Sequence, residues 1–266
     1  MVLLRGIEGP RETVKDSGFR IDIEELSFYI KGEKIYGKVY RQSMDTLTKR
    51  PAIIFCHDIG RTADDCDAAC RKAASLGYIG YCFDFAGGSA KSRSKGDPLT
   101  MSLKTEISDL REILKAIKKM PYVRENRVSL SGEGLGALAA AIVAGSEKRF
   151  RGDLILISPS ANIPDICRDM YSRAKDIPDS TQFQGMTVGK QFFKDIRDLK
   201  PLRKMGGFKG RTLIVYGLSD PLVSREDLQS VIDTYPDAKV ETIKGGHNLM
   251  SGAGKALGDV IGGFID

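Results

Sequence analysis

The sequence contains no tryptophan and only two histidines, His57 and His247, in 266 residues. With so few imidazoles a histidine-rich metal centre is excluded, and any proton transfer through imidazole has to use one of those two positions. The five cysteines, Cys56, Cys66, Cys70, Cys82 and Cys167, are an odd set without paired CxxC spacing, so the chain does not read as a disulfide framework. Cys56 and Cys82 fall inside apolar runs, where a free thiol behaves as a small hydrophobe. Cys66 and Cys70 lie one helical turn apart but have no histidine near them in sequence, and no metal site is expected. No run of about 18 apolar residues exists, and the opening Met1-Val2-Leu3-Leu4-Arg5 is too short for a secretory h-region. These absences lead us to expect a cytoplasmic protein without a membrane partner.

What is present is globular. Hydrophobic residues make up 41% and charged residues 29%, with no long polar tract to suggest disorder. The formal net charge is +6, but the basic residues are scattered, with one local knot at Lys148, Arg149 and Arg151 that a loop after a helix explains as well. No nucleic-acid partner is expected, and a homodimer is left open.

Apolar runs alternate with helical patterns, the signature of βαβ construction and an α/β class. Alternation over Ile21 to Ile30 and again over Glu33 to Tyr40 predicts an antiparallel hairpin at one sheet edge. Buried strands are expected at Pro51 to Cys56, Tyr78 to Phe85, Arg127 to Ser131, Asp153 to Ile157, Thr212 to Tyr216 and Lys239 to Ile243, giving about eight in all. Helices are expected at Asp64 to Leu76, Ser102 to Lys119 with Glu106 in its first turn, Gly136 to Glu147, Arg225 to Tyr235 and Ala253 to Ile265. Residues 160–210 lose this rhythm and carry Pro164, Pro178, Gly185, Gly189 and Pro201, so they read as a cap inserted into a single 1–266 domain.

Open parallel sheets bind ligands beyond the carboxyl ends of their strands, which directs attention to three strand ends. The first, Ser131-Gly132-Glu133-Gly134-Leu135-Gly136, has the form of the sharp strand-to-helix turn that carries a nucleophile in the pattern G-x-S-x-G, with Gly134 in the nucleophile slot. The second carries Asp220 and the third His247, an acid and a base in the chain order nucleophile, acid, base. In that arrangement Asp220 fixes the tautomer of His247. After the third expected strand, His57-Asp58-Ile59-Gly60 offers a backbone amide, so the N–H groups of Ile59 and Leu135 are the candidate oxyanion hole. His57 itself reads as a packed loop histidine.

On these segments, together with Phe83 to Gly88, Pro121 to Val128 and Gly189 to Arg197, the whole chain resembles the bacterial cinnamoyl and feruloyl esterases of the α/β-hydrolase superfamily. The resemblance implies an eight-stranded, mostly parallel sheet with helices on both faces, ester hydrolysis without a cofactor, and catalytic roles at the positions of Gly134, Asp220 and His247. Two departures fall in the catalytic centre. The elbow reads Gly132-Glu133-Gly134 where the family has glycine-histidine-serine, and the oxyanion turn reads His57-Asp58 where the family has histidine-glycine.

Glycine has no group to attack a carbonyl, and Ser131 lies in the preceding strand, so an acyl-enzyme at position 134 is impossible. Glu133 beside it points to natural drift, because one engineered change would leave histidine there. Glu133 as a substitute nucleophile would put Leu135 where the turn needs a small residue. The expectation is an esterase scaffold, weakly active or inactive, acting on a small ester. The alternative is a noncatalytic protein that binds an aromatic acid or ester, or a protein partner. Phe183, Phe192 and Phe193 would line such a pocket, although packing inside the cap accounts for them more simply.

Overall fold

The computed structural model describes the backbone of residues 3–4 and residues 11–16, 18–43 and 48–265 in full; Met1, Val2 and Arg5 of the opening stretch lie outside the described residues. Nine strands form the main sheet: β1 (Glu12–Asp16), β2 (Phe19–Glu25), β3 (Gly37–Gln42), β4 (Arg50–Cys56), β5 (Ile79–Phe83), β6 (Val123–Glu133), β7 (Leu154–Ile157), β8 (Thr212–Gly217) and β9 (Lys239–Ile243). Their order across the sheet is β9-β8-β7-β6-β4-β5-β3-β2-β1. Strands β4 to β9 are mutually parallel, and β1 to β3 add an antiparallel edge.

The central strands are continuous apolar runs because both faces of the sheet are covered. Along β4, Ala52, Ile54 and Cys56 enter one hydrophobic core, while Ile53 and Phe55 enter the other. The first core is closed by α2 (Leu103–Lys118), α3 (Gly134–Ser146) and α7 (Arg225–Thr234), the second by α1 (Asp67–Ser75) and α9 (Gly254–Ile265). Among the described residues no helix is long and apolar enough to cross a membrane.

Two expectations change. The run Ile21 to Ile30 is not one strand, because the Leu26 N–H closes the β2–β3 ladder on the Gly37 carbonyl at 2.8 Å and the chain then leaves the sheet. Phe28–Ile30 pairs instead with Glu33–Ile35 across Lys31 and Gly32, both at positive φ (52° and 88°), as a tight hairpin demands. The edge is supplied by Glu12–Asp16, whose polar sequence gives little periodic signal. Glu106 stands in the first turn of α2, as expected. It is buried, and burial pushes its carboxyl well above the usual range.

Residues 160–210 contain α4 (Ile163–Met170), a hairpin pairing Ser180–Phe183 with Met186–Gly189, α5 (Lys190–Ile196) and α6 (Pro201–Met205). Phe183, Phe192 and Phe193 are buried against one another, with ring centroids 5.2 to 5.7 Å apart.

The turn between β6 and α3 is closely packed. A Cβ on Gly132 would lie 2.4 Å from the Gly136 carbonyl oxygen, and one on Gly136 would lie 2.3 Å from that of His57. Only glycine at both positions lets α3 start this close to β4. Gly136→Ala is therefore expected to destabilise the protein by about 1–3 kcal/mol, the usual cost of overpacking. Chemical denaturation measures this, and an unchanged midpoint would contradict the close approach.

Candidate active site

The carboxyl ends of β4, β6, β8 and β9 converge on one buried cluster. Strand β6 runs directly into α3, and Gly134 at the junction has φ +55°, a left-handed conformation that glycine adopts without strain. The loop after β8 presents Asp220, and the loop after β9 presents His247. Asp220 accepts from His247 Nδ1 at 2.9 Å through Oδ2 and at 3.1 Å through Oδ1. Its Oδ1 also accepts the Leu222 and Val223 N–H groups at 2.8 and 3.1 Å, so the carboxylate is fixed before it meets the imidazole. Burial opposes its charge, but the bond from His247 and these amides hold its pKa below the usual value.

The space above Gly134 is filled. Asp58, at the end of β4, turns its carboxylate to where a side chain at position 134 would begin, and a Cβ there would lie 2.2 Å from both Asp58 Cγ and Oδ1. Asp58 Oδ1 accepts the Ile59 N–H at 2.8 Å and the Leu135 N–H at 2.7 Å. These are the two amides expected to hold a substrate oxyanion. The other oxygen, Oδ2, lies 3.2 Å from His247 Nε2, within ion-pair range but off the line of a good hydrogen bond. The imidazole is thus flanked by two carboxylates, with side-chain exposures of 2% for His247, 4% for Asp58 and 0% for Asp220.

This setting fixes the charge of His247. Burial alone would favour the neutral ring, but the contacts with Asp220 and Asp58 outweigh it and raise the pKa to about 10. At neutral pH the ring is an imidazolium that donates from Nδ1 to Asp220 and faces the Asp58 carboxylate with Nε2.

The other histidine behaves as expected from sequence. His57 Nδ1 lies 2.7 Å from the Asp58 carbonyl oxygen, and its Nε2 accepts the Phe85 N–H at 3.0 Å. With Nε2 accepting, the proton belongs on Nδ1, and burial lowers the pKa from its ordinary value. His57 therefore shapes the β4 loop and points away from the cluster.

Glu133 is likewise accounted for. Its Oε1 accepts the Met250 N–H at 2.7 Å, tying the elbow to α8 (Leu249–Gly252) immediately after His247. Burial raises its pKa to about 8, against the pull of that amide, so it is largely protonated at neutral pH. Neither the anchoring role of Glu133 nor the occupancy of the hole by Asp58 follows from a local pattern. The only sequence signal was that each stands where the esterases have a different residue.

A mostly parallel sheet with an elbow, an acid and a histidine at successive strand ends has the architecture of the α/β-hydrolase fold. Solved structures agree. The chain superposes on Est1E from Butyrivibrio proteoclasticus with ferulic acid bound, with TM-score 0.77 and 20% identity over 88% of this chain and 97% of that one. It also matches the thioesterase domain from the curacin biosynthetic pathway (TM-score 0.65, 20% identity, 90% and 98% covered). A third match is acetyl xylan esterase 1 from Thermoanaerobacterium sp. (TM-score 0.65, 17% identity, 98% and 89% covered). No protein-family model and no curated protein matches the sequence.

With two histidines in the chain, the proton NMR spectrum offers a direct check. One ring should remain protonated until about pH 10 and the other should stay neutral down to below pH 6.5. Because the folded value of His247 lies above its ordinary 6.5, its contribution to stability is complete below that pH and disappears as pH rises through about 10. The melting temperature should fall across that window, and His247→Gln should flatten the fall. A His247 ring that titrates below pH 7 would refute the double ion pair.

Proposed function

We propose that this protein is a non-hydrolytic version of the esterase scaffold, in which Asp58 occupies the place of both nucleophile and substrate oxyanion. The reading rests on one observation: the Asp58 carboxylate bonds both candidate oxyanion-hole amides and abuts His247 at the point where a serine side chain would stand.

Each part of the ester mechanism is affected. Gly134 supplies no nucleophile. An ester carbonyl cannot reach the Ile59 and Leu135 N–H groups while Oδ1 holds them, so residual catalysis by an empty hole, which sustains about 10³ to 10⁴-fold over water in other disabled triads, is absent. Activation of water by His247 fails for a different reason, since an imidazolium has no lone pair to accept a proton. The same argument weighs against Asp58 as a replacement nucleophile: its attack on an ester would expel the alcohol and form a mixed anhydride, and no neutral base stands there to activate the water that must hydrolyse it. An aromatic acid is also a poor occupant. Its carboxylate would compete with one already in place, and Phe183, Phe192 and Phe193 are packed on each other and leave no aromatic slot.

A chromogenic ester distinguishes this reading from a merely nucleophile-deficient enzyme. The protein itself should show no hydrolysis and no acyl adduct by mass spectrometry. Gly134→Ser alone should also be inactive, because the new side chain meets Asp58. Combining it with Asp58→Gly frees the hole and restores the histidine-glycine turn, and should raise the rate by at least about 10²-fold over either single variant. Hydrolysis by the unaltered protein, or full activity in Gly134→Ser alone, would overturn the proposal.

A further inference from the structure

The end of the sheet opposite the closed centre carries an open cavity of about 620 Å³. It lies at the amino ends of β6, β7 and β8 beneath the last turn of α3. Arg127, Lys148, Arg151, Lys209 and Arg211 line it, against only two carboxylates, Glu147 and Asp153. The sequence knot at Lys148 to Arg151, unremarkable by itself, is thereby joined to cations 20 residues earlier and about 60 later in the chain.

The two carboxylates offset only part of this positive charge. Glu147 lies 3.6 Å from Arg111, outside the cavity lining, and Asp153 is 3.8 Å from Arg211. Arg151 donates to the Lys148 and Phe150 carbonyls, and Arg211 donates to the Phe264 carbonyl while lying over the Phe264 ring. Arg127, Lys148 and Lys209 have no ion-pair partner among the described residues. The carbonyl end of α3 attracts cations on its own account. It does not account for Arg127 on β6 or Lys209 on the loop before β8.

The cavity walls are fixed by packing that leaves no room for change. A Cβ on Gly152 would lie 1.9 Å from the Val128 carbonyl oxygen, and one on Gly207 would lie 2.2 Å from that of Gly145. The buried pair Phe150 and Phe208, with centroids 5.3 Å apart, forms the apolar part of the lining. The backbone that carries these cations is thus closely packed. The cavity volume falls in the range of small-molecule sites.

We infer that this cavity binds a small, multiply phosphorylated molecule. Phosphate oxygens suit the guanidinium forks of Arg127 and Arg211 and the point charges of Lys148 and Lys209, and several phosphates are needed to engage cations contributed by three separate segments. A singly charged carboxylate would satisfy only one.

Isothermal titration calorimetry at 0.15 M salt tests this with ATP and inorganic triphosphate as probes. At least one should bind with Kd below about 100 µM. Arg127 and Lys209 are exposed and form no ion pair among the described residues, so Arg127→Gln with Lys209→Gln should fold normally and weaken binding about tenfold or more. Lys91→Gln, at the other end of the sheet, should leave it unchanged. The inference fails if neither probe binds, if sulfate at equal concentration displaces the probe completely, or if Lys91→Gln weakens binding as much as the double variant does. It also fails if a short DNA duplex binds more tightly than both probes, which would make the cavity part of a nucleic-acid surface.

Discussion

The carboxylate of Asp58 is the interaction on which the centre of this molecule depends. Two backbone N–H groups, from Ile59 and Leu135, and an imidazolium, His247, all face one buried point. Buried donors without partners are costly, about 1–3 kcal/mol each and more for a charge. In an esterase such donors are left for substrate and water. Here a side chain of the chain itself satisfies them, and Gly134 is the residue that leaves room for it.

The remaining electrostatics follow from that placement. Several acids are crowded near the elbow, and the structure does not let them all ionise. Burial raises Glu106 and Glu133 toward their neutral forms, while Asp220 is held low by His247 and two amides. The single buried cation is then shared between Asp58 and Asp220. Glu133, neutral and bonded to the Met250 N–H, secures the loop that carries that cation.

The two ends of the sheet therefore differ in kind. At the carboxyl ends of the strands, where this architecture usually works, Asp58, Asp220 and His247 are enclosed against one another. At the amino ends, Arg127, Lys148 and Lys209, without ion-pair partners among the described residues, line an open cavity. Unpaired charge on fixed walls is the condition for binding, whereas paired charge in a closed space is the condition for stability. The same fold carries both, because the strands hold the two ends apart.

The sequence by itself determined the α/β class, the parallel strands and the positions of Gly134, Asp220 and His247, since each depends on local period, turn chemistry or chain order. It also placed His57 in a packed loop. Strand partners were less legible: alternation over Ile21 to Ile30 reports which side is buried, not which strand lies alongside, and the polar Glu12–Asp16 edge has almost no period to read. Asp58 could be noticed as a departure from the esterase pattern, but its role could not be assigned. That Oδ1 bonds Leu135, 77 residues away, and that Oδ2 meets His247 are facts of tertiary structure. The basic cavity belongs to the same category, because Arg127, Lys148 and Lys209 come together only when β6, β7 and β8 lie side by side. Local pattern sets elements and their order; which side chains share a buried space is decided by packing between segments far apart in the chain.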